Sequence, residues 1–272
     1  MPLPRRQPYV IIDMKNKLNR DWWKFIFDEI YLLTDSRSVC NEELTRQETD
    51  FIEQFLEKDK TAAILDLCGG HGRHSLELSR RGYEDITVLD YSRYLLDLGR
   101  KKAEKENLDV HFVRGYARDT GLESARYSHI ILMASSFGYF METEENARIL
   151  REIHRMLRRQ GKVLLDLPDR DYCLNNFHPF SHHVVDNDIE VERLRETDNE
   201  IIYCRETVLS KSKGILRDSI YCIRLFTPVM INSLLTAAGL EPLGINTGFM
   251  DRQSSGDFGC MTNRQIVTAE KV

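Results

Sequence analysis

The 272-residue sequence lacks the cysteine patterns that mark a metal site or a disulfide framework. Its six cysteines, at positions 40, 68, 173, 204, 222 and 260, form no C-x-x-C pair, and no histidine spacing completes a zinc pattern. We therefore expect no metal site and no disulfides, and cysteines that stay reduced in the cytoplasm.

Long apolar runs and blocks of basic residues are also scarce. No stretch approaches the roughly 20 apolar residues of a membrane span, and the N-terminal segment has no signal-peptide core. The formal net charge is −5, and basic residues cluster only in short pairs such as Arg158 and Arg159. This balance argues against a nucleic acid held through its phosphates. We expect a cytoplasmic protein with a small-molecule substrate, no nucleic-acid partner and no membrane partner.

The most informative segment that is present joins a buried strand, a glycine turn and a helix. An apolar run over 62–65 leads to Asp66, and Gly70 and Gly72 follow where the chain must turn and a ligand must approach closely. A second apolar run over 86–89 ends at Asp90, an acid that can accept hydrogen bonds from both hydroxyls of a ribose. Together these residues predict a βαβ unit with a nucleoside-binding loop.

Two ligands suit such a loop, and the residues favour one of them. A dinucleotide fingerprint requires a third glycine, but Ser75 stands at that position. A carboxylate at Asp66 would repel a pyrophosphate, yet it can hold a cationic amine such as the α-amino group of S-adenosylmethionine. We therefore favour S-adenosylmethionine over NAD, and a dehydrogenase is the alternative.

The hydrophobic periodicity predicts an open parallel sheet with helices on both faces. Two N-terminal helices are expected at 19–33, which is rich in aromatic residues, and at 42–56. Strands are then expected at 62–67, 86–90, 109–114, 128–134 and 161–167, with helices at 73–81, 92–106 and 143–158, the last ended by Gly161. Period-two alternation predicts an antiparallel meander at 182–185, 189–194, 201–209 and 216–225. A helix at 228–239 and strands at 243–249 and 264–269 close the chain.

These elements suggest four units along the chain. We expect a helical cap at 1–60, a Rossmann-like core at 61–168, an antiparallel β insertion at 169–226, and a C-terminal helix with strands at 227–272. Ligands of open α/β sheets bind at the carboxyl ends of the strands. The insertion is therefore expected to act as a lid and substrate platform, although its apolar face could instead bury against a second subunit of a homodimer.

Several motifs together resemble the class I S-adenosylmethionine-dependent methyltransferases, in the group that acts on small molecules. They are DLCGGHGRH at 66–74, SSFGYF at 135–140, QGK at 160–162, LLD at 164–166 and RLFT at 224–227. The resemblance implies an α/β fold of the Rossmann-like class I methyltransferase type, with a seven-stranded, mostly parallel sheet whose last strand is antiparallel. It also implies S-adenosyl-L-methionine as cofactor, but it does not name the methyl acceptor.

The resemblance carries over to individual residues unevenly. Tyr91 stands where a side chain often packs on the adenine, and the hydroxyl of Tyr31 could reach the methionine carboxylate. The family usually has an aspartate after the third strand, whereas here Gly115 is followed by Tyr116 and the acid comes only at Asp119. The cofactor-binding residues that we expect are Tyr31, Asp66, Cys68, Gly69, Gly70, Gly72, Arg73, Asp90, Tyr91, Tyr116, Ala117, Ser135 and Phe137.

Few catalytic groups are expected, because the methyl group of a sulfonium is already activated. Positioning alone can supply about 7–11 kcal/mol of the barrier, so a general base is optional. Aromatic faces attract the sulfonium, and the candidates for the pocket wall are Trp22, Trp23, Phe27, Tyr31, Tyr139 and Phe140. If the acceptor must be deprotonated, Tyr139, Tyr172 and His178 are the candidate catalytic residues, with His182 and His183 nearby. Core packing explains Trp22 and Trp23 equally well, and Cys68 is expected to be structural.

Three functions remain open from the sequence. The favoured one is methylation of an oxygen or nitrogen of a small metabolite. In the second, S-adenosylmethionine is itself the substrate and cyclises to azetidine-2-carboxylate or a similar product, releasing methylthioadenosine. In the third, the protein binds a nucleoside without catalysis. The identity of the nucleoside product separates the first two.

Overall fold

The computed structural model describes residues 13–249 and 262–272. Residues 1–12 of the expected cap, and Cys260, lie outside this part of the chain. The strands in it are β1 (Ala63–Leu67), β2 (Asp85–Asp90), β3 (His111–Arg114), β4 (Tyr127–Leu132), β5 (Leu157–Pro168), β6 (Phe180–Val184), β7 (Ile189–Thr197), β8 (Ile201–Ser210), β9 (Gly214–Arg224), β10 (Leu240–Phe249) and β11 (Arg264–Lys271).

Seven of these strands form one twisted layer in the order β10-β11-β5-β4-β1-β2-β3. Strand β1 lies between β2 and β4 and pairs with both in parallel, with Leu67 opposite Leu89 and Ile64 opposite His129. Strand β11 runs antiparallel to both β5 and β10. The predicted seven-stranded sheet with an antiparallel last strand is therefore confirmed.

The predicted meander is also confirmed, as a second sheet of four antiparallel strands in the order β6-β7-β8-β9. Aspartates build two of its corners. The Asp186 carboxylate accepts hydrogen bonds from the backbone N–H groups of Asp188 and Ile189, and Asp198 does the same for Glu200 and Ile201. Such local bonds let an aspartate replace backbone pairing in a tight turn.

The helices of the described residues are α1 (Met14–Lys17), α2 (Glu29–Thr34), α3 (Ser36–Val39), α4 (Glu42–Phe55), α5 (Arg73–Arg80), α6 (Arg93–Glu106), α7 (Thr143–Met156), α8 (Arg170–Asn175) and α9 (Pro228–Ala237). A single helix over 19–33 is wrong. Trp22 and Trp23 lie in a short 3-10 turn, and α2 starts afresh because the Asp28 carboxylate accepts hydrogen bonds from the N–H groups of Ile30 and Tyr31. The segment therefore forms two short helical pieces and not one continuous helix.

Two further details differ from the prediction. Gly161 does not end the preceding helix, because α7 stops at Met156 and the left-handed residue of the turn is Gln160. Gly161 lies inside β5, where a Cβ would come within 2.8 Å of the Arg158 carbonyl oxygen. Helix α8 was not predicted; the Asp169 side chain starts it by accepting a hydrogen bond from the N–H of Tyr172.

The two faces of the main sheet are covered by different helices. Residues of α7 and α9, including Leu150, Ile153 and Leu235, are fully buried against one face. On the other face Ile52 of α4 and Leu78 of α5 pack beneath β1 and β2. The loops after β1 and β4, and the two cavities described below, lie at the edge of the sheet where its parallel strands end. Within residues 13–249 and 262–272, none of the helices combines the length and apolar character that crossing a bilayer requires.

Candidate cofactor and acceptor sites

The loop after β1 folds tightly over the ends of β1 and β2. Gly69 approaches the Asp66 side chain so closely that a Cβ would lie 2.6 Å from the carboxyl carbon. Gly70 has a φ of 59°, and its N–H donates to Asp90 at 2.9 Å. The other oxygen of Asp90 accepts the N–H of Ser92 at 2.8 Å. The Asp90 carboxylate is thereby fixed at the mouth of the loop.

A cavity of about 990 Å³ opens above this loop. We call it the first cavity, and its lining includes Trp23, Phe27, Tyr31, Val39, Asp66, Cys68, Gly69, Gly70, Arg73, Asp90, Tyr91, Tyr116, Ala117, Arg118, Ala134, Tyr139 and Phe140. These residues come from the ends of β1 to β4 and from the N-terminal segment that covers them.

Asp66 is the most unusual group in the first cavity. It is 1% exposed, and one carboxyl oxygen accepts a hydrogen bond from the hydroxyl of Ser75 at 2.8 Å. The other oxygen, Oδ1, is buried and has no hydrogen-bond partner within the described residues. Burial raises the pKa of Asp66 to about 7, although the Ser75 bond and the charge of Arg73 oppose the shift. A buried acceptor of this kind suits a cationic amine, so the loop fits S-adenosylmethionine.

The raised pKa of Asp66 leads to a testable pH dependence. Because the free carboxyl is mostly protonated below pH 7 and must ionise to pair with an ammonium group, binding of S-adenosylhomocysteine should release close to one proton at about pH 6 and far less at about pH 8. The affinity should therefore rise with pH across this window. Calorimetry in buffers of different ionisation enthalpy measures the released protons, and Asp66→Asn should abolish the release. Equal proton release at both pH values would contradict the assignment.

Aromatic rings form the wall beside Asp90. Trp23 lies edge-on to Tyr91, Tyr116 and Phe140, with centroid separations of 5.1, 5.8 and 5.9 Å. Tyr91 and Tyr116 are 4.9 Å apart, and the Arg118 guanidinium lies 4.2 Å from the Phe140 centroid. Asp119 is exposed and does not line the first cavity. Rings and a guanidinium thus stand where the resembled family places an aspartate.

A second cavity of about 1,060 Å³ lies between the N-terminal segment, the loop after β4 and one face of the meander. Its lining includes Trp22, Ile26, Phe27, Tyr31, Asp35, Val39, Arg73, Ala134, Ser135, Tyr139, Arg193, Arg195, Cys204, Glu206, Arg217 and Tyr221. Phe27, Tyr31 and Tyr139 line both cavities, and the ring of Phe27 lies 5.1 Å from Tyr31 and 5.7 Å from Tyr139. Three packed rings therefore form a wall shared by the two cavities.

Buried ion pairs hold Arg73 and Ala134, which line both cavities. Glu48 is fully buried, pairs with Arg73 and Arg264, and bonds His74 at 2.9 Å. Burial opposes its ionisation, but the charges of Arg73 and Arg264 and the His74 bond hold the pKa of Glu48 well below its usual range. Arg264 also pairs with Asp166, which accepts the N–H of Ala134 at 2.8 Å. We did not predict Glu48, Asp166 or Arg264; a charged residue inside an apolar strand was the available signal for the last two.

Most of the predicted site residues come together at the first cavity. They are Tyr31, Asp66, Cys68, Gly69, Gly70, Arg73, Asp90, Tyr91, Tyr116 and Ala117, together with the candidate catalytic residue Tyr139. Arg73 is held by Glu48 and by the hydroxyl of Thr45. Ser135 lines the second cavity instead. Burial raises the pKa of the Cys68 thiol well above its ordinary value.

Four predicted residues line neither of the two cavities. Phe137 is fully buried in the core, 5.2 Å from Phe226, and lines neither cavity. Gly72 lines neither cavity, and a Cβ there would meet Phe112 at 2.9 Å, so this glycine serves packing. Tyr172 lies on α8 and His178 is exposed in the following loop, and neither lines a cavity. The structure thus places these four residues outside the linings of the two cavities.

The sheet order and the acidic glycine loop define a class I methyltransferase fold. Comparison with known proteins agrees, because residues 64–161 match the family model described as a methyltransferase domain. A glycine/sarcosine N-methyltransferase from Halorhodospira halochloris is 30% identical over 142 residues, which are 50% of this chain and 51% of the relative. The chain thus spans about half the length of this curated relative. By the match to the family model, residues 64–161 form a methyltransferase domain.

Solved structures extend the likeness of the fold beyond that segment. An S-adenosylmethionine-dependent methyltransferase from Clostridium acetobutylicum aligns with a TM-score of 0.68 at 14% identity, covering 82% of this chain and 90% of that one. An amino pentose methyltransferase from Micromonospora echinaspora, solved with S-adenosylmethionine bound, aligns with a TM-score of 0.65 at 16% identity, covering 90% and 97%. At these identities the alignments show the fold alone.

Proposed function

We propose that this protein transfers a methyl group from S-adenosylmethionine in the first cavity to an oxygen or nitrogen atom of a small molecule in the second. The observation that carries the proposal is that the two cavities are adjacent and share Phe27, Tyr31 and Tyr139 in their linings. The curated relative named a glycine/sarcosine N-methyltransferase supports a small acceptor.

In this proposal the residues of the chain mainly bind and orient. Bound S-adenosylmethionine supplies an activated methyl group on a sulfonium. Asp66 holds its amine, and Asp90, already fixed by two backbone N–H groups, accepts hydrogen bonds from the ribose hydroxyls. The rings of Phe27, Tyr31 and Tyr139 exclude water and face the positive charge, an attraction of about 0.5–2 kcal/mol at each favourable ring. The remaining acceleration comes from fixing donor and acceptor in line.

Tyr139 is proposed to orient the acceptor rather than to remove its proton. Burial raises the pKa of its hydroxyl well above the ordinary value, so the hydroxyl stays protonated near neutral pH. The hydroxyl oxygen can accept a hydrogen bond from an N–H or O–H of the acceptor, which orients the acceptor and leaves its attacking lone pair free. An amine that enters the cavity uncharged needs no base before the transfer and can lose its proton to solvent afterwards.

The nucleoside product tests the proposal directly. The purified protein is incubated with S-adenosylmethionine, with and without a panel of small amines, amino acids and phenols, and the nucleosides are identified by mass spectrometry. We expect S-adenosylhomocysteine in equal amount to a methylated acceptor, and intact cofactor when no acceptor is added. Methylthioadenosine without an acceptor would instead identify S-adenosylmethionine as the sole substrate. Binding of the cofactor without either product across the panel would favour a non-catalytic role.

A further inference from the structure

Three arginines occupy the face of the meander that lines the second cavity. Arg193 and Arg195 alternate on β7, so their side chains share one face, and Arg217 lies on β9. Glu206 on β8 stands between them and pairs with Arg193 at 2.9 Å and with Arg217 at 3.4 Å. Arg193, Arg217 and Glu206 are all nine-tenths or more buried. The cavity therefore ends in fixed guanidinium groups.

Two aspartates of the N-terminal segment reach these arginines, and they are held very differently. Asp28 pairs with Arg217 and at the same time starts α2 through its bonds to backbone N–H groups. Asp35 pairs with Arg193 at 3.2 Å, and its carboxylate also accepts the hydroxyl of the adjacent Thr34. The Asp35 side chain keeps 35% of its exposure and lines the second cavity. Its carboxylate marks a place beside Arg193 that accommodates a planar anion.

Aromatic rings also line the second cavity. The ring of Trp22 lies 5.0 Å from Tyr139 and 5.7 Å from Tyr221, and both tyrosines line the cavity. A molecule that fills the cavity would thus lay an apolar body against these rings and direct one end toward Arg193. An arginine fork matches a carboxylate in shape and charge.

We propose that the methyl acceptor carries a carboxylate, which takes the place of the Asp35 carboxylate at Arg193. This inference rests on the proposed function, in which the second cavity holds the acceptor. Replacement of one carboxylate by another keeps Arg193 paired, so no buried charge is left without a counter-charge. Asp35 acts as a competitor of the substrate, and its release accompanies binding. With its carboxylate bound at Arg193, the acceptor directs its other end toward the wall of Phe27, Tyr31 and Tyr139.

The experiment compares acids with amides of the same shape. Protein saturated with S-adenosylhomocysteine is titrated with benzoate and phenylacetate, and with benzamide and phenylacetamide. We expect the acids to bind at least about tenfold more tightly than the amides. Arg193→Gln should remove this preference, because the amide side chain carries no charge. Asp35→Asn should act in the opposite direction and tighten the acids by about threefold or more, leaving the amides unchanged.

Arg205→Gln is the matched control. Arg205 lies on β8 between two residues that line the cavity, so its side chain points to the opposite face, where it pairs with Asp218 at 2.7 Å. The variant should bind acids like the unmodified protein. Should Arg193→Gln fail to fold, the partly exposed Asp35→Asn still decides between the two outcomes.

Three binding results would overturn the inference. The first is equal binding of acids and amides by the unmodified protein. The second is weaker binding of the acids by Asp35→Asn than by the unmodified protein. The third is tighter binding of phenyl phosphate than of the carboxylates. Failure of the proposed function is recognised separately, since it would appear as no S-adenosylhomocysteine with any acceptor. Methyl transfer to neutral acceptors alone would overturn the inference that the acceptor carries a carboxylate and would leave the proposed function standing.

Discussion

Asp66→Asn is expected to weaken binding of S-adenosylhomocysteine about a hundredfold and to leave methylthioadenosine within about threefold of its original affinity. The reason is the buried Oδ1 of Asp66, whose charge serves the amine of the amino-acid portion. Methylthioadenosine lacks that portion but keeps the adenosine. Asparagine has the shape of aspartate and can still accept the hydroxyl of Ser75, so the loop should persist. Isothermal titration with both ligands measures the difference.

Asp90→Ala should affect both ligands in the same titrations. Because the ribose is common to both ligands, this variant should weaken each of them by at least about tenfold. If Asp66→Asn weakened methylthioadenosine as much as S-adenosylhomocysteine, the substitution would have disturbed the loop, and Asp66 would not be the contact of the amine. If Asp90→Ala affected neither ligand, the ribose contact would be wrong.

The parts of the fold that the sequence predicted well are those encoded by neighbouring residues. Strand β1, the loop through Gly70 and Gly72, and strand β2 follow each other within about 30 residues, the length of a βαβ unit. Each carries its own signal, an apolar run, a glycine or a terminal acid. The meander was predicted for the same reason, because period-two alternation and the Asp-rich corners lie within the strands and turns themselves.

The aromatic segment before α4 shows why local periodicity fails elsewhere. Trp22, Trp23, Phe27 and Tyr31 have helical spacing, yet they line two cavities and pack against rings from the meander and from the loop after β4. Contacts with distant residues determine this conformation, and the Asp28 cap interrupts the helix that the spacing predicts. The second cavity was unforeseeable in the same way, since its walls come from four separate parts of the chain.

Phe137 illustrates the limit of carrying a motif over by position. The segment 135–140 lies where the resemblance implies it, but its successive side chains point in different directions, because Ala134 and Ser135 both have left-handed backbones. Ser135 therefore meets the second cavity, Phe137 the core, and Tyr139 the shared wall. A motif predicts where a loop lies better than which of its side chains face the ligand.

Arg264→Met is expected to reduce the free energy of unfolding by about 3–5 kcal/mol, because it removes the cation shared by two buried carboxylates. Arg264 joins Asp166 to Glu48, a residue 216 positions away in the sequence, and all three side chains have no exposed surface. Urea unfolding of the variant and of the unmodified protein measures the loss. Arg126→Met is the control, since Arg126 makes an exposed pair with Asp85 at 2.8 Å and should cost less than about 1 kcal/mol.

The pH dependence of this loss has a defined sign. In the unmodified protein the pKa of Glu48 is lowered, so its stabilising contribution is present above the pKa of an unfolded glutamate and is lost as the pH falls through the lower folded value. Without Arg264 that lowering is weaker, so less stability is gained on ionisation. The deficit of Arg264→Met should therefore grow as the pH rises toward the pKa of an unfolded glutamate, about 4.3, and should level off above about pH 5.

The same variant connects stability to the site. Asp166 holds the N–H of Ala134, and Glu48 holds Arg73, and both Ala134 and Arg73 line the two cavities. Binding is measured without urea, at a temperature where Arg264→Met remains folded. This variant should bind S-adenosylhomocysteine more weakly than the unmodified protein, whereas Arg126→Met should bind it with unchanged affinity. A variant that lost stability but bound the ligand with unchanged affinity would restrict the ion pairs to a structural role. A loss no greater than that of the exposed pair would mean that the buried network contributes little to stability.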